Sequence, residues 1–166
     1  AWGDPGSPNC AAATELAEHL LQRMEVRRAA RTDTVDLLIG AVEVSLWLAE
    51  QFASDMREVF PALTVRCVSA NKLLGISGFS PRRTFFAGSD RVTTDQISSA
   101  AILLVSQSGQ TFPTLHATRL LASMAPDRVW LLTGTATSKM EAALVAARLM
   151  RNETSPAPRV ITTHSG

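Results

Sequence analysis

Two hydrophobic patterns alternate along this chain, one with helical spacing and one of short continuous runs. Apolar residues recur at helical spacing over 11–31, 44–59, 111–125 and 137–151, with the second stretch ending before Pro61. Apolar residues run almost without interruption through 35–42, and the segments 63–69, 100–105, 129–133 and 160–163 are interpreted as further strands. Such runs are typical of strands buried on both faces of a parallel sheet. The alternation predicts five strands in a parallel sheet with helices on both faces.

The segments outside this pattern predict a single domain with a loose start. Residues 1–10 are rich in Gly, Pro, Ser and Asn, so we interpret them as a leader and 11–166 as one domain. The stretch 70–99 is longer than a compact connection requires. We expect a short helix near 71–74, followed by an irregular excursion that is either a lid or an insertion. Trp47, Trp130 and Cys67 are predicted to be buried.

Composition excludes several classes of protein. The 166 residues include 46% hydrophobic ones, enough for one core, and the net charge of +1 gives no general attraction to nucleic acid or to an anionic membrane. Two cysteines without paired spacing predict neither a metal site nor a disulfide framework. No apolar run approaches the roughly 18 residues of a membrane-spanning helix. We therefore expect a cytoplasmic domain without membrane contact.

The candidate chemistry lies in one polar loop. The apolar run 101–105 ends in Ser106, Gln107, Ser108, Gly109, Gln110 and Thr111, and Phe112-Pro113 then opens a helix. In an open parallel sheet, ligands bind where strands end and helices begin, and the helix dipole there favours an anion. Three hydroxyls can donate to phosphate oxygens, and a glycine lets the backbone approach closely. The loop thus predicts a phosphate site, although the same residues can serve simply as a helix cap.

The same loop carries a resemblance to a known family. Residues 104–111, Leu-Val-Ser-Gln-Ser-Gly-Gln-Thr, with Thr114-Leu115 and Ala117, resemble the phosphosugar-binding segment of sugar isomerase (SIS) domains. The form Ser-Gln-Ser-Gly-Glu-Thr in the isomerase part of glucosamine-6-phosphate synthase is similar. The resemblance implies a flavodoxin-like three-layer sandwich and a ligand of the hexose-6-phosphate class. It assigns the phosphate to the hydroxyls of Ser106, Ser108 and Thr111 and to the backbone of Gln107 and Gly109.

The resemblance also implies partners and a second wall of the site. SIS domains commonly pair, so we expect a homodimer or pairing with a second SIS half, and no cofactor or metal. In a 2-1-3-4-5 sheet the first strand faces the loop across the crevice, which adds Gly40, Ala41, Val42 and Glu43 as second-tier residues. Thr135, after the fourth strand, is a further second-tier residue.

The sequence also departs from the family pattern. Family members usually place hydroxyl residues after the glycine of the first loop, where this chain has Ala41, Val42 and Glu43. Glu43 suits a helix start but repels an anion. The family's proton-moving glutamate, histidine and lysine follow the fifth strand. We therefore expect this sequence to be a fragment of a longer isomerase- or aminotransferase-like protein, without the catalytic half.

Other interpretations stay open at this point. A degenerate SIS domain could serve dimerisation or regulation without catalysis. A flavin phosphate would also suit the loop, but the absence of Tyr and the core assignment of Trp47 disfavour it. His116 is interpreted as a helix-packing residue, and Arg27, Arg28 and Arg31 as a solvated helix end. Arg82-Arg83 could cover a bound anion or could simply be exposed.

Overall fold

The computed structural model describes residues 4–77, 84–87, 90–135, 137–151 and 159–163. The strands are β1 (Leu37–Ala41), β2 (Val65–Ser69), β3 (Thr84–Ala87), β4 (Asp90–Thr93), β5 (Ala101–Ser106), β6 (Val129–Thr133) and β7 (Val160–Thr162). The helices are α1 (Pro8–Ala30), α2 (Glu43–Val59), α3 (Ala70–Ser77), α4 (Thr94–Ile97), α5 (Phe112–Met124) and α6 (Lys139–Leu149). A short 3-10 turn, Pro126–Arg128, precedes β6.

Five strands form one parallel sheet in the order β2-β1-β5-β6-β7. Counting only these strands, the order is 2-1-3-4-5, which is the flavodoxin-like arrangement. The predicted three-layer fold is therefore confirmed. The long connection between β2 and β5 contains the predicted short helix, here α3, and then an antiparallel hairpin of β3 and β4 followed by α4.

Both faces of the sheet are covered, which explains the unbroken apolar strands. Every residue of β1 and β5 is buried. Helices α1 and α2 pack over one face through small and aliphatic side chains, among them Leu16, Leu20, Ala49 and Ala53. Helices α3, α5 and α6 cover the other face, with Leu73, Leu115 and Met140 in that core. In these two central strands no face is exposed to water, so their sequences lack a periodicity of two, whereas the edge strand β2 is partly exposed at Arg66 and Ser69.

Helix α1 begins earlier than the sequence pattern predicted. It starts at Pro8, three residues before the expected boundary, because Ser7 caps it and accepts a hydrogen bond from the Cys10 amide at 3.2 Å. The Asn9 side chain also donates to the Thr162 carbonyl at 2.7 Å and accepts from the Thr162 amide at 2.9 Å. The last three residues of the predicted leader are thus helical, and one of them is bonded to β7.

A buried ion pair joins α1 to the amino end of the sheet. Arg27 Nε donates to the two carboxylate oxygens of Asp36 at 3.1 and 3.0 Å, and the Thr64 amide donates to the same carboxylate at 2.9 Å. Asp36 is fully buried. The prediction that Arg27 belongs to a solvated helix end was therefore wrong, whereas Arg28 and Arg31 are exposed as expected.

The two tryptophans predicted as core have different environments. Trp130 is fully buried in β6, but Trp47 is 71% exposed, so the core assignment of Trp47 was wrong. Helix α2 approaches the sheet through Ala49 and Ala53, whose small side chains allow close packing. Helical spacing located the apolar stripe of α2 correctly but could not show that the alanines, and not the larger residues, face the sheet.

Two further expectations concern cysteine and membrane contact. Cys67 is buried in β2 as predicted, and burial raises the pKa of its thiol to about 11. Within the part of the chain that the structure describes, no helix is both long enough and apolar enough to cross a membrane.

Candidate functional site

The candidate site lies between β1 and β5, where the strand order of the sheet reverses. Strands β1 and β5 are neighbours with Gly40 opposite Leu104, and the chain leaves them toward opposite edges of the sheet. The loop after β5, residues 107–111, therefore faces the start of α2 across a crevice at the carboxyl ends of the strands. This is the position at which doubly wound sheets bind ligands.

Three hydroxyls of the predicted loop converge. The buried Ser106 Oγ donates to Thr111 Oγ1 at 3.3 Å, and Ser108 Oγ lies 3.5 Å from the same atom. Hydrogen bonds between hydroxyls are usually about 2.7–2.8 Å long. These contacts are therefore weak, and the hydroxyls keep most of their capacity to donate to a ligand.

The loop backbone is oriented by the connection between β6 and α6. Carbonyls of three consecutive residues accept hydrogen bonds from it: Gln107 O from the Gly134 amide at 2.8 Å, Ser108 O from Thr135 Oγ1 at 3.2 Å, and Gly109 O from the Met140 amide at 3.1 Å. In a trans peptide unit the N–H points opposite to the carbonyl. The amides of residues 108–110 therefore point away from that connection. Two of them are bonded within the loop, since the Gly109 amide donates to the Ser106 carbonyl at 3.3 Å and the Gln110 amide donates to Ser108 Oγ at 3.2 Å.

Gly109 is required by the geometry of this loop. Its φ of 60° lies in the left-handed region, and a Cβ atom there would overlap the side chain of Ser138. Ser138 cannot easily move, because its hydroxyl caps α6 by accepting from the Glu141 amide at 3.1 Å. The glycine thus joins the loop tightly to the next helix.

Helix α5 presents its amino end to the crevice. Thr111 is the N-cap residue, yet its side chain makes no capping hydrogen bond, and Pro113 occupies the first turn. The first helical bond runs from the Leu115 amide to the Thr111 carbonyl at 2.9 Å. Because the hydroxyl does not cap the helix, both it and the positive end of the helix dipole are directed to a ligand. The interpretation of these residues as a simple cap is not supported for Thr111.

The facing wall comes from the start of α2. Val42, Glu43 and Ser45 line, with residues of the β5–α5 loop, a cavity of about 430 Å³. Glu43 is exposed and has a φ of 53°, an uncommon conformation for a residue other than glycine. Of the described residues that line this cavity, Glu43 alone carries a charge. One wall therefore favours an anion through the amino end of α5, and the other wall disfavours it through the carboxylate of Glu43.

The predicted site residues occupy different places around this cavity. Those that line it are Val42, Glu43, Gln107, Ser108, Thr111 and Thr135. Ser106 lies beneath Thr111, and the exposed Gln110 donates its amide to Ser108 Oγ at 3.2 Å. Gly40 and Ala41 are buried in the sheet and do not line the cavity, since Gly40 is wedged between the side chains of Leu104 and Leu73.

Sequence reasoning missed several lining residues. Ser45 supplies a hydroxyl from the first turn of α2, and Val44 and Gly134 complete the cavity. A serine one turn into the helix after the first strand is a signal that could have identified Ser45. Gly134 carries no comparable local signal, because its role depends on pairing with Gln107 in another loop.

The remaining candidates are His116, Arg82-Arg83 and His164. The His116 ring lies 4.2 Å from that of Phe112 on the same helix, which agrees with a packing role. Among the residues described, no group of three His, Cys, Asp or Glu side chains is arranged to hold a metal ion. Arg82-Arg83 and His164 lie outside the described residues.

Comparison with known proteins finds similar solved structures but no match to a family model and no match among curated proteins. A protein of E. coli CFT073, c3406, in complex with A5P, is 14% identical, with a TM-score of 0.48, covering 79% of this chain and 66% of that one. A Bacteroides fragilis protein described as a phosphosugar isomerase involved in capsule formation is 14% identical, with a TM-score of 0.47 and coverage of 79% and 63%.

A Listeria monocytogenes protein described as a sugar-phosphate isomerase is 9% identical, with a TM-score of 0.44 and coverage of 85% of this chain and 78% of that one. This chain thus spans slightly less than two thirds of the first two structures. Proteins described as phosphosugar or sugar-phosphate isomerases are thus among the solved structures that this chain resembles, at low sequence identity.

Proposed function

We propose that the crevice between β1 and β5 binds the phosphate group of a hexose 6-phosphate, and that this chain is a phosphosugar-binding domain of the SIS type. The observation that carries the proposal is the convergence of Ser106, Ser108 and Thr111 at 3.3 and 3.5 Å without tight mutual hydrogen bonds. Hydroxyl donors and the amino end of α5 together provide the environment that a phosphate prefers. The sequence resemblance of residues 104–111 to SIS domains supports the same ligand class.

For the residues that line the cavity, we propose binding of the substrate and not its chemical conversion. Isomerisation or amination of a sugar phosphate requires groups that move protons between carbon atoms. Glu43 is the one titratable group among the described residues that line the 430 Å³ cavity, and it stands on the wall opposite the phosphate loop. We therefore assign substrate binding to this domain, within an isomerase- or aminotransferase-like protein such as a relative of glucosamine-6-phosphate synthase.

Calorimetric titration tests the proposal. Glucosamine-6-phosphate and fructose-6-phosphate should bind saturably, whereas glucosamine and fructose should bind at least ten times more weakly, because a charge-assisted hydrogen bond is worth about 1.5–3 kcal/mol. Thr111→Val should weaken binding by a similar factor. Ser123→Ala is the matched control, because Ser123 lies in the last turn of the same helix and its hydroxyl donates to the Leu120 carbonyl one turn earlier at 2.8 Å. Equal binding of phosphorylated and unphosphorylated sugars would contradict the proposal.

A second candidate function is pairing of the chain with a second copy or a second SIS half, with or without sugar binding. The exposed aromatic and aliphatic residues of α2 favour it, since Trp47 is 71% and Val59 is 67% exposed. Large apolar groups that remain exposed on one helix are typical of protein interfaces. Sedimentation should give a dimer for the wild type and a monomer for Trp47→Glu. A monomeric wild type at high concentration would reject this candidate.

A further inference from the structure

An apolar cavity adjoins the proposed phosphosugar site. It has a volume of about 310 Å³ and lies between α2 and the carboxyl ends of β5 and β6. Its apolar walls are formed by Val44, Leu48, Phe52, Val105 and Leu132. No charged residue is among the described residues that line it. The cavity is therefore suited to an uncharged, apolar group, because burying a charge there would leave it unpaired.

The apolar cavity and the 430 Å³ cavity adjoin each other and share part of their lining. Val44, Ser45, Gln107 and Gly134 line both of them. One ligand can therefore contact the phosphate loop and enter the apolar cavity at the same time. A volume of about 310 Å³ lies at the lower end of the range of roughly 300–1,000 Å³ for whole ligand pockets. The cavity therefore has ample room for a substituent of a sugar phosphate.

The arrangement of α2 creates this space. Ala49 faces the sheet and lines the cavity, whereas the larger Leu48, 66% exposed, stands at the rim. Small residues inside and large apolar residues outside leave apolar surface exposed next to a polar site, which is typical of a ligand pocket.

We infer that the bound sugar phosphate carries a compact apolar substituent, an acyl or alkyl group of a few carbon atoms, that occupies the apolar cavity. The inference rests on the proposed phosphate site, since that site fixes the position of the sugar. The phosphate is held by the 106–111 loop, and the substituent extends past Val44 and Gln107 toward Leu48 and Phe52. The ligand class is therefore an N-acyl or O-alkyl sugar phosphate.

A homologous series of ligands tests the inference. Titration with glucosamine-6-phosphate carrying N-acetyl, N-propanoyl or N-butanoyl groups changes only the apolar part of the ligand. Burial of each added methylene should tighten binding about fourfold. Leu48→Gln, a substitution at an exposed position, should flatten this trend without unfolding the protein. Val59→Gln is the control, because Val59 is equally exposed on the same helix but lies outside the cavity.

The outcomes separate this inference from the function on which it rests. Increasing affinity along the series, lost in Leu48→Gln and kept in Val59→Gln, supports the inference. Equal affinity of all acylated ligands overturns it and leaves the phosphate site intact. Absence of binding for glucosamine-6-phosphate and for every acylated ligand overturns both. A change of sedimentation mass in Leu48→Gln, with the affinity trend unaltered, would assign the cavity to chain pairing and overturn the inference.

Discussion

Polar groups at the two ends of the central sheet differ in how completely their hydrogen bonds are satisfied within the protein. At the amino end, the Asp36 carboxylate accepts three hydrogen bonds of 2.9–3.1 Å from Arg27 and Thr64 and is fully buried. At the carboxyl end, Ser106, Ser108 and Thr111 contact each other at 3.3–3.5 Å. Polar groups satisfied within the protein stabilise the fold, whereas groups left weakly satisfied can bind a ligand. The comparison associates the amino end with stability of the fold and the carboxyl end with the proposed binding of a ligand.

The largest effect is expected from Asp36→Ala at the amino end. Removing the carboxylate leaves the partly buried Arg27 guanidinium without its partner, which should lower the free energy of unfolding by about 3–5 kcal/mol. Urea denaturation measures the loss. The control Asp55→Ala removes an exposed carboxylate bonded to Gln51 and should cost less than about 0.5 kcal/mol. If Asp36→Ala stays folded but loses most of its affinity for the sugar phosphate, Asp36 also contributes to binding, which would contradict the separate roles of the two ends.

The next effect concerns Gly109, where the binding loop depends on packing. Gly109→Ala should cost about 2–4 kcal/mol, because the left-handed φ disfavours a side chain and the added Cβ would overlap Ser138. Binding of glucosamine-6-phosphate should fall about a hundredfold. In the control Gly75→Ala, the new methyl group meets open space, and stability should stay within about 1 kcal/mol of the wild type. Unchanged affinity in Gly109→Ala would show that the loop backbone does not position the ligand.

A smaller effect is expected from Glu43, the residue that opposes an anion at the carboxyl end. Glu43→Gln removes the one charge among the described lining residues and should raise the affinity for a sugar phosphate severalfold, corresponding to about 1 kcal/mol. Added salt should reduce this gain, because screening weakens the repulsion. Glu50→Gln, on the exposed side of the same helix, is the control. A lower affinity in Glu43→Gln would indicate instead that Glu43 binds the sugar.

The smallest effect is a pH dependence that arises away from the binding edge. Burial, and then the nearby Arg159 and Arg23, lower the pKa of His19 below its ordinary value of 6.5, and the side chain packs against Trp130. The folded state thus prefers neutral His19, so the unfolded state binds more protons below pH 6.5. Stability should decrease as the pH falls through and below that value. His19→Phe should reduce the decrease in urea midpoint between pH 7.5 and pH 5.5, values chosen to bracket about 6.5.

Much of the fold could be predicted from sequence because both faces of the sheet are covered. Continuous apolar runs in β1 and β5 and the order of elements were enough to predict the parallel sheet. The candidate phosphate loop could also be identified from sequence, because residues 106–111 are contiguous. The hairpin of β3 and β4 was not predicted, because its strands cover only four residues each and lie in a stretch without a clear period.

The remaining features depend on contacts between distant parts of the chain. The pairing of Arg27 with Asp36 requires that α1 cross the start of β1, which no local pattern indicates. The exposure of Trp47 follows from the packing of Ala49 and Ala53 against the sheet. The apolar cavity is formed by α2, β5 and β6 together. Periodicity identifies an apolar stripe but does not show whether it packs on the core or borders a cavity.

The most direct test of this account is the double variant Ser106→Ala/Thr111→Ala, measured both for binding and for stability. Thr111 should donate one hydrogen bond to the phosphate, worth about 1.5–3 kcal/mol, and Ser106 orients that hydroxyl by donating to it, so calorimetric titration with glucosamine-6-phosphate should show at least a tenfold loss of affinity. The free energy of unfolding should change by less than about 1 kcal/mol, because the hydroxyl contacts at 3.3 and 3.5 Å are weak. Retained affinity in a folded double variant would contradict the assignment of the carboxyl edge to phosphosugar binding.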